Sequence, residues 1–441
     1  MIYNDTQSGL SPAQAVLARR HLVSVFKLAI PLLSVQLMPP FLLYIGIGSS
    51  LAEGTAVAIF VILAVYVITE AGRTRRCVKD PRAFEIGPFV FAAFCVLLIV
   101  PHAAVSEHFQ SIDVARLLKT TPLLFLLIAG AVALGNLLLE APNRDINWIL
   151  RLSFSVLCLS LLLKLFGLEP RSNILGKPLF PFTETSHFVL AFVPLLLYRC
   201  ANCTRRATFG WLAFGFGVAL GLQSLTLLIA CILAAIVCRR ILFVSLVGLV
   251  ASLGIVPLEF DYFISRLDLT SSSNNISSLV YVQGWQLLWE SCAQTFGWGV
   301  GFEQLGGHGT NVTAADTLLA LLSDSGLDAL NLTDGSFVFA KLTGEMGIFG
   351  FLLSVGFVIA AFRSIRALRK ANVGEQERSI IVFARCVLTS FIIDMFVRGT
   401  GYFVGSTLLA ITAASILASG RHRLDFFAMA RALNHSGKVS I

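Results

Sequence analysis

Residues 124–139 read LFLLIAGAVALGNLLL, and residues 241–257 read ILFVSLVGLVASLGIVP. Neither stretch carries a charge, and each comes near the roughly 17 to 25 apolar residues that take a helix across lipid. Runs of this kind recur from one end of the chain to the other, and that repetition decides the fold class. The composition agrees: 56% of the 441 residues are hydrophobic, 13% are charged, and the mean hydropathy is +0.82. A soluble domain carries about 25% charged residues. Too few polar groups remain here to cover a water-facing surface, so an all-α polytopic membrane protein is expected.

Apolar runs bounded by charge, Pro or Gly predict twelve spans near 22–47, 51–70, 86–105, 121–140, 148–168, 187–199, 209–222, 225–238, 241–257, 347–362, 379–397 and 401–419. The seventh and eighth are short and meet at Gln223–Thr226, read as a tight outside turn or an unwound cavity lining. Three blocks follow: 1–257 with nine spans, 258–346 as one large loop, and 347–441 with three spans and a tail. The polar start, Met1–Ala18, lacks the layout of a cleaved signal peptide, so the first span is expected to act as the targeting signal. No repeat of fixed period is present, which argues against a transporter built from two similar halves.

The net charge of +8 is a topological signal, with no nucleic-acid partner implied. Lys and Arg cluster at Arg19/Arg20/Lys27, Arg73–Arg82, Arg144/Arg151, Arg199–Arg206, Arg239/Arg240, Arg363–Arg378 and Arg421–Lys438. These alternate with the spans and outnumber the opposite set about threefold, which puts them, and both termini, in the cytoplasm. The 258–346 loop then faces outward, as does 169–186 (EPRSNILGKPLFPFTETS). Amphipathic runs at 278–291 and 313–322 predict helices within the long loop. Of nine cysteines only Cys292 falls outside, so no structural disulfide is expected.

Because cations are scarce on the outward side, Arg171, Lys177, Arg266, Lys341 and Arg398 each invite an explanation. Several guanidinium groups converging on one cavity could hold a diphosphate through paired donors and without a metal. The plainer reading is snorkelling to headgroups or pairing with acids. Asp394 and Arg398 have the i,i+4 spacing of a structural pair. Glu184, Ser186 and His187 stand where the chain re-enters the membrane in PFTETSHF. They could activate an attacking hydroxyl, or cap the helix. Asp334, Glu303, Glu345, His102, His108 and His308 are weaker acid–base candidates, expected to be solvated loop residues. The glycines of GWGVGF, 297–302, read as a tight turn before an anion cradle. No GxxxxGK[ST] loop or DxD-like pair supports use of a nucleotide donor.

The stretch TETSHFVLAF (183–192) resembles the Glu-Pro-Ser-His-Phe signature of the O-antigen polymerase and ligase superfamily, with Thr185 in the proline position. YFISRLDLTSSSNNISSLVYVQGW (262–285) and GWGVGFEQLG (297–306) resemble the polymerase pattern of an arginine, a Ser/Asn stretch and a glycine turn. LTDGSFVFAKLTGEMGIFG (332–350) is similar to the closing Glu-x-Gly-x-x-Gly, at Glu345, Gly347 and Gly350. Asp334-Gly335-Ser336 stands where ligases carry His-Asn, which favours the polymerase branch.

The resemblance implies a GT-C-type fold and a metal- and cofactor-independent glycosyltransferase in the bacterial inner membrane. Its site would face the periplasm, and its partners would be undecaprenyl-diphosphate-linked oligosaccharides, membrane lipids and, for some members, a chain-length regulator. In that scheme Arg171, Arg266 and Arg398 hold the diphosphate, and Glu184 or His187 takes the acceptor proton. Lys341, Asp334, Ser186 and Lys177 contact substrate. A ligase to a lipid core and a lipid-linked sugar transporter are the rival expectations.

Overall fold

The computed structural model describes residues 12–48, 50–74, 87–168, 178–238, 260–270, 273, 275–306, 313–324, 337–370 and 378–419. The expected span at 241–257, and Arg171, Lys177, His308 and Asp334, lie outside the described residues. The helices run in chain order as α1 (Pro12–Tyr44), α2 (Leu51–Thr74), α3 (Gly87–Ser106), α4 (Val114–Glu140), α5 (Asn143–Leu165), α6 (Thr185–Asn202) and α7 (Arg205–Gly221). They continue as α8 (Leu225–Val237), α9 (Phe260–Leu267), α10 (Ile276–Gln294), α11 (Thr313–Asp324), α12 (Val338–Lys370), α13 (Ser379–Phe396) and α14 (Gly405–Ser419). Among the described residues the β structure is one isolated bridge, Leu179 with Phe182.

Seven helices, α1 to α5 with α12 and α13, are long and apolar enough to cross a membrane, and α8 and α14 are shorter apolar helices. Helices satisfy every interior backbone group within the segment, which a lipid environment demands. The chain is an all-α, multi-pass membrane protein. Each expected span other than 241–257 falls on a helix, but those at 187–199, 209–222, 225–238 and 401–419 fall on α6, α7, α8 and α14, which are not among the seven. The tenth begins earlier, at Val338, breaks at Gly347 (φ 56°, ψ −132°), and runs on to Lys370.

The core is built on α6 and α13. Phe188–Leu190 and Phe192–Tyr198 of α6 are buried, and 83% of the apolar window of α13 is buried. By contrast, α3 and α12 expose Phe91, Leu97, Leu352 and Phe362, faces that would be a liability in water but match a lipid surround. α6 and α13 run antiparallel. Tyr198, near the end of α6, donates to Asn147 and packs 6.1 Å from Phe383 near the start of α13. At that same end Arg378 donates to Leu139 O at 2.9 Å and Arg369 to Ile236 O at 2.8 Å. Both cations meet the electronegative carbonyl ends of helices, which suits them.

The long loop folds onto the other end of the bundle. Its two amphipathic runs are α10 and α11, joined through Leu279, Val280 and Leu318. The 297–302 glycine stretch is a turn, and it docks into the break in α12. Val300 N–H donates to Gly344 O (3.1 Å), Gly301 N–H to Glu345 O (2.9 Å) and Ile348 N–H to Gly297 O (2.9 Å). The fit is close enough that a Cβ on Gly347 would overlap the Gly297 and Trp298 carbonyls. On the far side of the turn His102 of α3 stacks on Trp298, centroids 5.2 Å apart, and Ser106 Oγ donates to Gly299 O at 3.1 Å. His102 is therefore a buried packing residue and not the solvated loop residue expected from sequence.

Candidate functional site

At the loop end of the bundle, the first turn of α6 meets the chain just past α13. Glu184 holds the N-cap position of α6 with extended backbone (φ −136°, ψ 149°), yet its side chain caps no amide. Its carboxylate instead accepts from Arg398 Nη2 at 2.7 Å and from Ser186 Oγ at 2.9 Å. Burial alone would raise the Glu184 pKa. The Arg398 and His187 charges and the two hydrogen bonds outweigh that and bring it down to about 2. A carboxylate held so low is ionised at neutral pH and is a poor proton acceptor. Its chemistry suits fixing Arg398 in place.

The i,i+4 pair read between Asp394 and Arg398 does not form. α13 ends at Phe396, the Arg398 amide turns back onto Ile393 O at 2.9 Å, and the guanidinium swings to Glu184. Asp394, 3% exposed, accepts from Ser406 Oγ at 3.1 Å. The helix stop therefore redirects the arginine from its own helix to a neighbour.

Arg266 closes α9, and its carbonyl accepts from Ser278 Oγ at 3.1 Å, tying α9 to α10. The half-buried Arg266 side chain lines a cavity of about 220 Å3 together with Arg398, Thr226, Ser277, Tyr281 and Gly399. Two arginines from remote segments thus line one space, beside the N-terminal turns of α8 and α10 that add partial positive charge. Such an arrangement suits a multivalent oxyanion.

His187 is placed differently. Its Nδ1 lies 3.1 Å from Thr183 Oγ1, and its ring lines a separate cavity of about 50 Å3 between α1, α6 and α14. The 398–400 segment passes between the two spaces, with Arg398 and Gly399 on the larger and Thr400 on the smaller. A third cavity, about 670 Å3 and almost wholly apolar, runs between α3, α4, α12, α13 and α14, with Phe302 and Tyr402 on its wall.

Lys341 stands apart from the two arginines. It is 3% exposed, its Nζ lies 2.9 Å from Glu303 Oε1, and it sits 5.0 Å from the Tyr402 ring centroid. Glu303 Oε2 is also 3.3 Å from Arg116 Nη2, and the Glu303 amide (φ +61°) donates to Glu345 Oε2 at 2.9 Å. Glu303 and Glu345 were expected to be solvated; both are buried, Glu345 completely. Lys341 and Arg116 meet the Glu303 carboxylate while Glu345 accepts from the Glu303 amide, and these contacts lock the glycine turn to α4 and α12. Sequence reasoning missed this cluster. Its available sign was Lys341 and Glu345 four apart on a helix that is otherwise apolar for several turns.

Of the sequence candidates that are described, the structure brings Glu184, Ser186 and Arg398 into contact, sets Arg266 on the Arg398 cavity, and puts His187 across the 398–400 segment. No family model matches the chain, and no curated protein or solved structure matches it. Fold and site together define a multi-pass, all-helical membrane protein with a two-arginine cavity at one end of its bundle.

Proposed function

We propose that this chain is a polysaccharide polymerase of the O-antigen type, a metal-independent glycosyltransferase that joins undecaprenyl-diphosphate-linked oligosaccharide repeat units. The observation that carries the reading is the shared cavity of Arg266 and Arg398, of a size to take a diphosphate and lined on one side by the 262–285 segment, which bears one of the superfamily-like motifs. Arg266 and Arg398 hold the diphosphate and stabilise the charge that gathers on it as the glycosidic bond to phosphate breaks. Glu184 positions Arg398, and His187 takes the proton of the attacking hydroxyl. The apolar 670 Å3 space gives a lipid tail somewhere to lie.

The arrangement belongs, in this reading, to a twelve-span GT-C-type bundle in the bacterial inner membrane. The cation clusters of the sequence put both termini in the cytoplasm and the two-arginine cavity on the periplasmic side. Replacing Arg266, Arg398, Glu184 and His187 singly with Ala, at matched protein level, tests the assignment on the polysaccharide ladder. Loss of long chains with a single unit still attached to the lipid core is the expected result. Normal ladders from all four refute it, and loss of every attached unit converts it to a ligase.

A further inference from the structure

Gln36 sits mid-bundle on α1 and is 4% exposed, and neither its Nε2 nor its Oε1 has a hydrogen-bond partner in the described structure. An unpaired buried amide forfeits the hydration it had in the unfolded chain, so its presence calls for a partner that comes and goes. Gln36 lines the 50 Å3 cavity that His187 also lines, together with Thr400, Gly405 and Ser406. A second, independent feature marks the same place. Pro39 and Pro40 lie within α1 and have no amide hydrogen, so the carbonyls of Val35 and Gln36 lose their usual i+4 donors beside the cavity.

The sign of the site follows from what surrounds it. The N-terminal turns of α6 and α14 both border the space, and helix N-termini favour a group that is neutral or gaining negative charge. Arg398, two residues before Thr400, and Glu184, three residues before His187, are paired at 2.7 Å and offset one another beside the space. With Nδ1 engaged by Thr183, the other His187 ring nitrogen is left to meet a ligand. An amide that both donates and accepts, an imidazole and the Ser406 oxygen, which can still accept while its proton goes to Asp394, form a set that reads a sugar hydroxyl.

We propose that the Gln36–His187–Ser406 cavity is the inner end of the acceptor subsite: its 50 Å3 takes the attacking hydroxyl of the terminal sugar and not the ring, and Gln36 hydrogen-bonds and orients that hydroxyl. This rests on the polymerase reading above. The hydroxyl gives its proton to His187, and its oxygen forms a bond to the anomeric carbon. That carbon's bond to the diphosphate oxygen breaks, and the electron pair leaves with the diphosphate lipid held by Arg266 and Arg398. The 398–400 segment lies between the two cavities, so in this scheme the hydroxyl and the donor carbon meet at its edge.

The test uses purified full-length protein, undecaprenyl diphosphate as the binding probe, and lipid-linked repeat units extracted from host cells lacking this chain. A delipidated repeat unit serves as soluble acceptor. Gln36→Leu is expected to bind undecaprenyl diphosphate as the wild type does while raising the acceptor KM at least tenfold. Gln36→Met, unbranched and of similar length, takes its place if Leu prevents folding. An unchanged acceptor KM in the folded variant overturns the subsite. Failure of the wild type to bind the probe or to form product overturns the polymerase reading itself, a result distinct from the first.

Discussion

Arg398 Nη2 lies 2.7 Å from Glu184 Oε2, and this contact joins the loop-side ends of α6 and α13, two largely buried helices of the bundle. It exists because α13 stops two residues before the arginine and because the Glu184 carboxylate is not spent on capping its own helix. The Arg398 side chain is 21% exposed, open enough to meet a ligand, and its guanidinium is held at one edge. An arginine fixed in this way loses little side-chain freedom when it grips an oxyanion.

Glu184→Gln keeps the shape and one acceptor oxygen but removes the charge that orients Arg398. Polymer formation should fall about tenfold, against about a hundredfold or more for Arg398→Ala, which deletes a donor to the developing charge. Initial rates on a lipid-linked repeat unit measure both. Equal and complete loss in the two variants would instead make Glu184 a direct participant.

Stability should report the same pair through pH. The folded Glu184 pKa of about 2 lies below the roughly 4.3 of a free glutamate, so the carboxylate contributes stability that is fully present above about pH 4.3. That contribution drains away as pH falls toward 2. The Tm gap between wild type and Glu184→Gln in detergent is therefore expected to be constant from pH 7 to about 5 and to close below that. A gap that widens on acidification would reverse the sign and contradict the ion pair.

The Lys341–Glu303 contact is predicted to serve the fold. Removing one partner of a buried pair leaves the other uncompensated, so Lys341→Met should cost about 3 to 5 kcal/mol. Pairing it with Glu303→Gln should restore part of that loss. Thermal unfolding of the two single variants and the double variant in detergent checks the coupling. A strictly additive double variant would show that the groups do not depend on one another.

Gly347→Ala meets two obstacles at once, a backbone at φ +56° and the Gly297 and Trp298 carbonyls where the methyl would go. The variant should accumulate poorly or unfold well below the wild type, since alanine is penalised at positive φ even where space allows. Gly356, also on α12 but with nothing near its Cβ direction, is the control. Gly356→Ala should be near neutral.

How much of this was legible in the sequence depends on the range of the interaction. Apolar run length alone located the helices, because a membrane imposes the same requirement on every span. Two of the long loop's helices, α10 and α11, followed from local periodicity at 278–291 and 313–322, whereas α9 and the early start of α12 were not read. The cation alternation singled out Arg266 and Arg398 as residues in need of a reason. Which of these cations would meet was hidden, since nothing in the spacing shows that Arg398 leaves Asp394 for Glu184, or that Lys341 sinks beneath the glycine turn. Gln36 was invisible for another reason: a lone amide in an apolar run looks like a tolerated polar residue until its surroundings are known. The only local hint was the Pro39–Pro40 pair that follows it.

The central claim, that Arg266 and Arg398 together hold a diphosphate lipid, is tested most directly by binding of undecaprenyl diphosphate to the purified protein in the presence of chelator. The expected result is metal-independent binding that weakens about tenfold or more in Arg266→Ala and in Arg398→Ala, and further in the double variant. A folded double variant that binds as tightly as the wild type would contradict the account.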